Sequence, residues 1–380
     1  MLCHGQFGDE YFSGLGSIQL EGHLRIKHVC VGSFVLIATD ENDLWVCHTN
    51  PLLPPNLKSS IFKNSSLFQK IESDLITGEI THISSGEGHF IVVVNSSKII
   101  VFGSNNCGEI GLQPNQTNIS ALTSIRSPSP EKRISHLCTG GFHSLVVFDG
   151  KEMYATGWNY YGSLGINCAR QNVYGFEKVI LSAPIQSHGI KLLSAGSAHT
   201  ALITNNNELW AVGCNEKSCL GDNTINNRKI FLKTTLPEQI KDKQITQLSC
   251  GLRQTCFVVD DVDLFVMGSN DHMQCGIYGE NVITIPTKVD VLGPRTRIDA
   301  SFNYNGLTVL IDGFKLLCFN VEDRIKTNFA GVYGLCLAKG YYNSCTILYK
   351  NSKYYTKEIE RFQEQLLQTQ FQQDVCIITK

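Results

Sequence analysis

Four stretches of the chain carry nearly the same text: GEGHFIVVVNSSKIIVFGSNNCGEIG from Gly86, GGFHSLVVFDGKEMYATGWNYYGSLG from Gly140, GSAHTALITNNNELWAVGCNEKSCLG from Gly196 and GLRQTCFVVDDVDLFVMGSNDHMQCG from Gly251. The starts lie 54, 56 and 55 residues apart. A fixed period of this size marks a repeat architecture, and it takes precedence over element-by-element assignment. Each copy opens on a glycine and runs into five or six apolar residues. It then turns through Asn, Asp, Gly or Ser, at Asn95-Ser96-Ser97, Asp149-Gly150, Asn205–Asn207 and Asp260-Asp261, into a second apolar run. That is a strand, a tight turn and its antiparallel partner. The second strand ends in Gly-x-Asn, at Gly103/Asn105, Gly157/Asn159, Gly213/Asn215 and Gly268/Asn270. Glycine reaches backbone angles closed to other residues, and Asn can hold its own turn through its side chain. The rest of each period has room for two more short strands, which completes a propeller blade.

Weaker copies begin at Gly32, near Phe302 and near Gly331. The whole text, clearest over 83–280, resembles the repeat of the regulator of chromosome condensation family. The resemblance implies a seven-bladed β-propeller over residues 1–350, with openings near 32, 86, 140, 196, 251, 302 and 331. The N-terminal 1–16 reads as the second half of a repeat whose first half lies after Gly331. Pairing of the two ends is therefore expected to close the ring and remove its sheet edges. Residues 351–380 are expected to add a short helix, from the spacing of Ile359, Phe362 and Leu366, and a possible edge strand. A further short helix is expected around Leu67–Leu75.

Composition limits the function. The 380 residues include 32 Lys+Arg and 34 Asp+Glu, a formal net charge of -2, so nucleic acid is disfavoured as the main partner because phosphate binding rests on positive charge. The N-terminus has Asp9-Glu10 and no long apolar run, so no signal peptide is expected. No run approaches the roughly 20 apolar residues of a membrane helix. Fifteen cysteines without a CxxC read as buried thiols of a cytoplasmic or nuclear protein that is not secreted. Oligomeric state is not legible.

No phosphate loop, nucleophile elbow or dinucleotide fingerprint is present, so neither a catalytic constellation nor a cofactor is expected. His89, His143 and His199, three residues after Gly86, Gly140 and Gly196, invite a zinc reading. They belong to different blades, however, and the equivalent residue after Gly251 is Gln254, a poor zinc ligand. They read as structural hydrogen-bonding positions. The aromatic residues Trp45, Tyr154, Trp210 and Phe265 recur at one place per copy and read as packing.

What remains is surface. The turns after the second strand should lie on one face, and Trp158, Tyr160, Tyr161, Glu216, Lys217, Asp271 and His272 are its candidate partner-binding residues, since exposed aromatics are enriched in interfaces. The loop Arg126-Ser127-Pro128-Ser129-Pro130-Glu131-Lys132-Arg133 carries two Ser-Pro steps, where a phosphate would sit beside basic groups. The resemblance implies a non-enzymatic propeller that binds and regulates a protein partner. Alternatives are a guanine-nucleotide exchange factor for a Ran-like small GTPase and, third, a chromatin-associated protein. No insert matches the wedge loop such exchange factors use.

Overall fold

The computed structural model describes residues 26–48, 68–271 and 273–289, and beyond these the backbone of isolated strands at either end. The described residues are predominantly antiparallel β. A hairpin of β1 (Gly5–Phe7) and β2 (Glu10–Phe12) comes first. Six four-stranded sheets follow in chain order. They are β3–β6 (Ile26–Val31, Phe34–Thr39, Leu44–His48, Gln69–Ile71) and β7–β10 (Ile80–Ser85, His89–Val94, Lys98–Ser104, Asn118–Ile125). Next come β11–β14 (Ile134–Thr139, His143–Phe148, Glu152–Trp158, Asn172–Lys178) and β15–β18 (Ile190–Ala195, His199–Thr204, Leu209–Gly213, Arg228–Lys233). The last two are β19–β22 (Ile245–Cys250, Gln254–Val259, Asp263–Ser269, Val282–Lys288) and β23–β26 (Ile298–Phe302, Gly306–Ile311, Lys315–Asn320, Arg324–Asn328). A three-stranded sheet, β27–β29 (Leu335–Ala338, Cys345–Lys350, Val375–Thr379), completes the described strands.

Within each sheet the strands lie side by side in sequence order. The second strands are buried on both faces, as in HFIVVV and HSLVVF, which is why they read as continuous apolar runs. Fourth strands are the outer edge, and β18 buries only Phe231 fully. The cores sit between neighbouring sheets, one per seam. Phe34, Phe90 and Phe102 pack edge-on and stacked between the first two sheets, with ring centroids 5.0–5.7 Å apart. Leu145, Val147, Leu202 and Phe231 fill the seam between the third and fourth.

The turns between second and third strands are tight because Asn95, Asp149, Asn207 and Asp260 adopt positive φ of 49–66°, a region that short polar residues tolerate.

The expected ring of seven blades closed by an N- and C-terminal strand pair is not what forms. β1 pairs with β2 and not with a C-terminal strand, and β28 takes β29 as a parallel neighbour. Two strands separated by a few residues close a much smaller loop than a pairing across the whole chain, and they meet first. The sheet after Gly331 is completed instead from the chain's own last residues. The arrangement is propeller-like, with one three-stranded sheet and a separate hairpin beside the four-stranded ones. The expected helix at 355–373 lies outside the described residues. Around Leu67–Leu75 the structure has strand β6 in place of a helix, paired to Leu44–Val46. Among the described residues the one α-helix is α1 (Ala183–His188).

Candidate functional site: the turn face and the seam beneath it

The repeat glycines mark one end of every sheet. Gly86, Gly140 and Gly196 each donate their N–H to the carbonyl of the histidine three residues on, at 2.8–2.9 Å. A Cβ on any of them would collide with the carbonyl oxygen of the next repeat's glycine: Gly140 for Gly86, Gly196 for Gly140 and Gly251 for Gly196. The sheets approach so closely here that Ser33, Glu87, Gly141 and Ser197 donate backbone hydrogen bonds across the seams, at 3.0–3.1 Å. Glycine is needed at these positions for space.

The histidines sit directly below. His89 Nε2 meets Ser144 Oγ, His143 Nε2 meets Thr200 Oγ1 and His199 Nε2 meets Thr255 Oγ1, each at 3.0 Å and each across a seam. Those hydroxyls donate to Glu109, Ser163 and Cys219 carbonyl oxygens at 2.6–2.9 Å. A hydroxyl has one proton, so it must accept from the imidazole, which fixes Nε2 as the protonated nitrogen. Nδ1 of all three is buried without a hydrogen-bond partner among the described residues. Burial holds the three rings neutral, with pKa values lowered to about 4, 3 and 4, and His143 is depressed further by His199 and His89 on either side. The three residues that invited a zinc reading are thus separated, one to a seam. At the fourth copy Gln254 is also buried, and its Oε1 accepts from Arg253 N.

Above the seams stand the turns between third and fourth strands. Gly103, Gly157, Gly213 and Gly268 have φ of 107–112°, which L side chains rarely adopt. Two residues later Asn105, Asn159, Asn215 and Asn270 are buried, and each spans its turn. Their Oδ1 atoms accept from the backbone N–H of Ile110, Leu164, Leu220 and Cys275, and their Nδ2 groups donate to carbonyls on the far side of the loop. One amide therefore replaces several backbone bonds that an irregular loop cannot make for itself. The turns after Gly103, Gly157 and Gly213 also lie on the fourth strand of the next sheet. A Cβ on Gly162 would strike Arg228 O, and Tyr174 OH donates to Asn106 O at 2.8 Å.

On this rigid base the turn tips differ. In the sheet β11–β14, Trp158 and Tyr160 stack nearly parallel, 10° apart with centroids at 6.1 Å, and Tyr161 stands edge-on to both at 5.4 and 4.9 Å. Phe142, from the turn after Gly140, closes the cluster against Trp158. Tyr160 is 53% exposed, while Trp158 and Tyr161 are half-buried. Burial and the neighbouring Glu216 carboxylate raise the Tyr161 phenol pKa, so it stays protonated and able to donate. Glu216 is exposed and has no ion pair among the described residues. Lys217 pairs with Asp271 of the next turn at 2.7 Å, which holds the Asp271 carboxyl down to about 2. The structure thus brings Trp158, Tyr160, Tyr161 and Glu216 into one patch and joins Lys217 to Asp271. His272 lies outside the described residues.

One buried acid went unread in the sequence. Glu109 is 1% exposed. It accepts from Cys107 N at 2.8 Å and Ser104 Oγ at 3.1 Å, and burial raises its pKa. Its counterparts in the next three turns are Ser163, Cys219 and Gln274. A second set of histidines, His28, His82 and His136, also went unread although it stands four residues before Gly32, Gly86 and Gly140. His82 and His136 bind the Ser135 and Lys191 carbonyls of the following sheet at 3.2 and 3.3 Å. The fixed offset was a legible signal.

A family model described as the regulator of chromosome condensation (RCC1) repeat matches residues 190–219, which hold Gly196, His199, Gly213 and Asn215. That segment is an RCC1-type repeat, and its pattern recurs along a propeller-like fold. The human X-linked retinitis pigmentosa GTPase regulator is 33% identical over 160 residues, 42% of this chain and 15% of that protein. The ultraviolet-B receptor of Arabidopsis thaliana is 27% identical over 288 residues, 74% of this chain and 61% of the relative. This chain thus spans less than two thirds of the length of either. Among solved structures, Prp20p of Saccharomyces cerevisiae superposes with a TM-score of 0.70 at 15% identity, covering 90% of this chain and 86% of its own. At that identity the likeness is one of fold. Among the described residues no helix is long and apolar enough to cross a membrane.

Proposed function

We propose that this RCC1-type chain is a non-catalytic binding protein whose partner is a small GTPase, and that it acts by promoting guanine-nucleotide exchange. The observation that carries the binding part is the Trp158–Tyr160–Tyr161 cluster. It is an exposed aromatic patch on a backbone that Gly157, Asn159 and Gly162 hold in place, so little side-chain or loop entropy is lost when a partner covers it. Unpaired Glu216 at its edge adds a charge that can choose among partners. The GTPase part draws on the relatives. One is named a GTPase regulator, and the Prp20p structure is described together with its binding properties to Gsp1p and histones.

Exchange needs no catalytic side chain. A protein that binds the nucleotide-free GTPase more tightly than the loaded form weakens nucleotide affinity by the same factor. The described residues have no constellation for bond-breaking chemistry, and this mechanism requires none. Such work would place the protein in the cytoplasm or nucleus. The net charge of -2 argues against nucleic acid as the main contact.

The test is release of a fluorescent GDP analogue from a purified Ran-type GTPase, with and without this chain. Acceleration, together with capture of the GTPase in its nucleotide-free form only, is the expected result. If there is neither release nor nucleotide-dependent capture, the GTPase reading falls. A protein partner recovered through the aromatic patch would then make the chain a scaffold.

A further inference from the structure

The β10–β11 connection, Arg126 to Arg133, lies at the hairpin end of the third sheet, away from the turn face, and the function above makes no use of it. Its two serines are not equivalent. Ser127 Oγ accepts a hydrogen bond from Ser129 N at 3.3 Å and so helps to build the loop. Ser129 Oγ has no hydrogen-bond partner among the described residues and is half-exposed. Pro130 follows it, and Lys132 stands three residues on. Lys132 N donates to Ser129 O at 3.1 Å, so residues 129–132 form one tight turn with proline at the second position, where its fixed φ suits. That turn brings Lys132 back beside Ser129.

The surroundings carry both signs with a basic excess: Glu131 is exposed within the turn, and Arg133 N donates to Asp149 Oδ1 at 3.3 Å. Arg126, Lys132 and Arg133 are all exposed. Lys132 is paired with Glu152, and Arg133 Nε donates to Ser96 Oγ, in the hairpin of the preceding sheet, at 3.2 Å. From these contacts we infer that Ser129 is a phosphoacceptor for a proline-directed serine/threonine kinase, and that Lys132 and Arg133 receive the phosphate.

A site that selects proline after the acceptor offers an apolar surface where a backbone N–H would be left unpaired, and proline has none. The base three residues on supplies the second contact. In the reaction Ser129 Oγ attacks the γ-phosphorus of the kinase's Mg-bound ATP. The new O–P bond forms as the bond to the β,γ-bridging oxygen breaks, and ADP leaves with that electron pair. The serine proton passes to the kinase's catalytic carboxylate. For residues 127–132 to extend, the Lys132–Ser129 backbone bond, the Ser129–Ser127 contact and the Lys132–Glu152 ion pair must open. Once attached, the phosphate carries close to two negative charges at neutral pH. It competes with Glu152 for Lys132 and with Ser96 for Arg133, so the modification reaches the seam between the second and third sheets.

The experiment treats the folded full chain with a purified proline-directed kinase and MgATP and locates phosphate by mass spectrometry of tryptic peptides. The expected result is one phosphate on Ser129. It should be absent in Ser129→Ala, retained in Ser127→Ala, and formed at least fivefold more slowly in Lys132→Ala. All three variants should keep the parent thermal transition. Phosphate on Ser127 alone, or only on heat-unfolded protein, overturns the assignment, as does no incorporation. Phosphorus NMR tests the docking. The phosphoserine should titrate at lower pH in the protein than in a free peptide spanning 124–135, and equal titration would mean that Lys132 and Arg133 do not hold it.

Discussion

The seams and the turn tips lie at the same end of the sheets, yet they follow opposite rules. Three seams use the same few groups: a glycine with a carbonyl where its Cβ would be, and a histidine bonded to a Ser or Thr hydroxyl of the next sheet. At the tips the same backbone turn carries Asn106 and Cys107, then Tyr160 and Tyr161, then Glu216 and Lys217. Close packing leaves no freedom in the seam, because any added atom meets backbone. The tips point to solvent, and their buried Asn anchors hold the loop whatever the tip residue is. Stability is therefore stored in what repeats, and recognition is free to reside in what differs.

Acid should break the seams first. The folded-state pKa values of His89, His143 and His199 lie below the ordinary 6.5, so the unfolded chain binds protons more readily. Their contribution is intact above pH 6.5 and is lost as pH falls toward 4 and 3. At pH 5 this amounts to about 2 kcal/mol per histidine, on the order of 6 kcal/mol for the three. Urea unfolding at pH 7.5 and pH 5 measures it, and equal stability at the two values would remove the buried imidazoles from the account.

Gly140→Ala comes next. Its Cβ meets both Gly196 O and the His143 ring, and a loss of about 4 kcal/mol is expected, against a few tenths for Asn206→Ala in an exposed hairpin. Equal effects in a denaturant titration would erase the distinction between seam and surface. His143→Ala should cost about 1–3 kcal/mol by stranding Thr200. It should also flatten the pH dependence between 7.5 and 5, a readout that a mere cavity would not give.

The tips should behave the other way. Replacing Tyr160 and Tyr161 with Ala should leave the thermal transition within a few degrees, yet weaken partner binding by about 2 kcal/mol, roughly thirtyfold. A collapsed transition would show that the cluster is core. The reference substitution is Asn206→Ala and excludes Asn207, whose amide bridges Lys243 O and Ile245 N of the next sheet. The smallest effect belongs to Lys217→Ala. Its pair with Asp271 is about one third exposed on each side, and such pairs contribute about 0–1 kcal/mol. A larger loss of stability on calorimetry would mean that the turns brace one another.

Much of this was readable before any coordinates, because a repeat states its local physics several times over. The period, the strand–turn–strand pattern and the Gly-x-Asn turns depend on backbone angles and neighbouring side chains, which are properties of a short stretch of chain. Asp149-Gly150 makes a hairpin wherever it occurs between apolar runs. The choice of edges does not work that way. Whether Gly5–Phe7 pairs with Glu10–Phe12 or with a distant strand depends on competing partners and loop-closure entropy, and no local pattern encodes that competition. The failed strand closure and the strand at Gln69–Ile71 share this cause. The individual roles of side chains were also settled in three dimensions. The sequence shows three equivalent histidines, but only the seam shows each one bonded to a hydroxyl 55–57 residues away. Likewise, Ser127 and Ser129 are near-identical letters until the loop folds and engages one hydroxyl while leaving the other free.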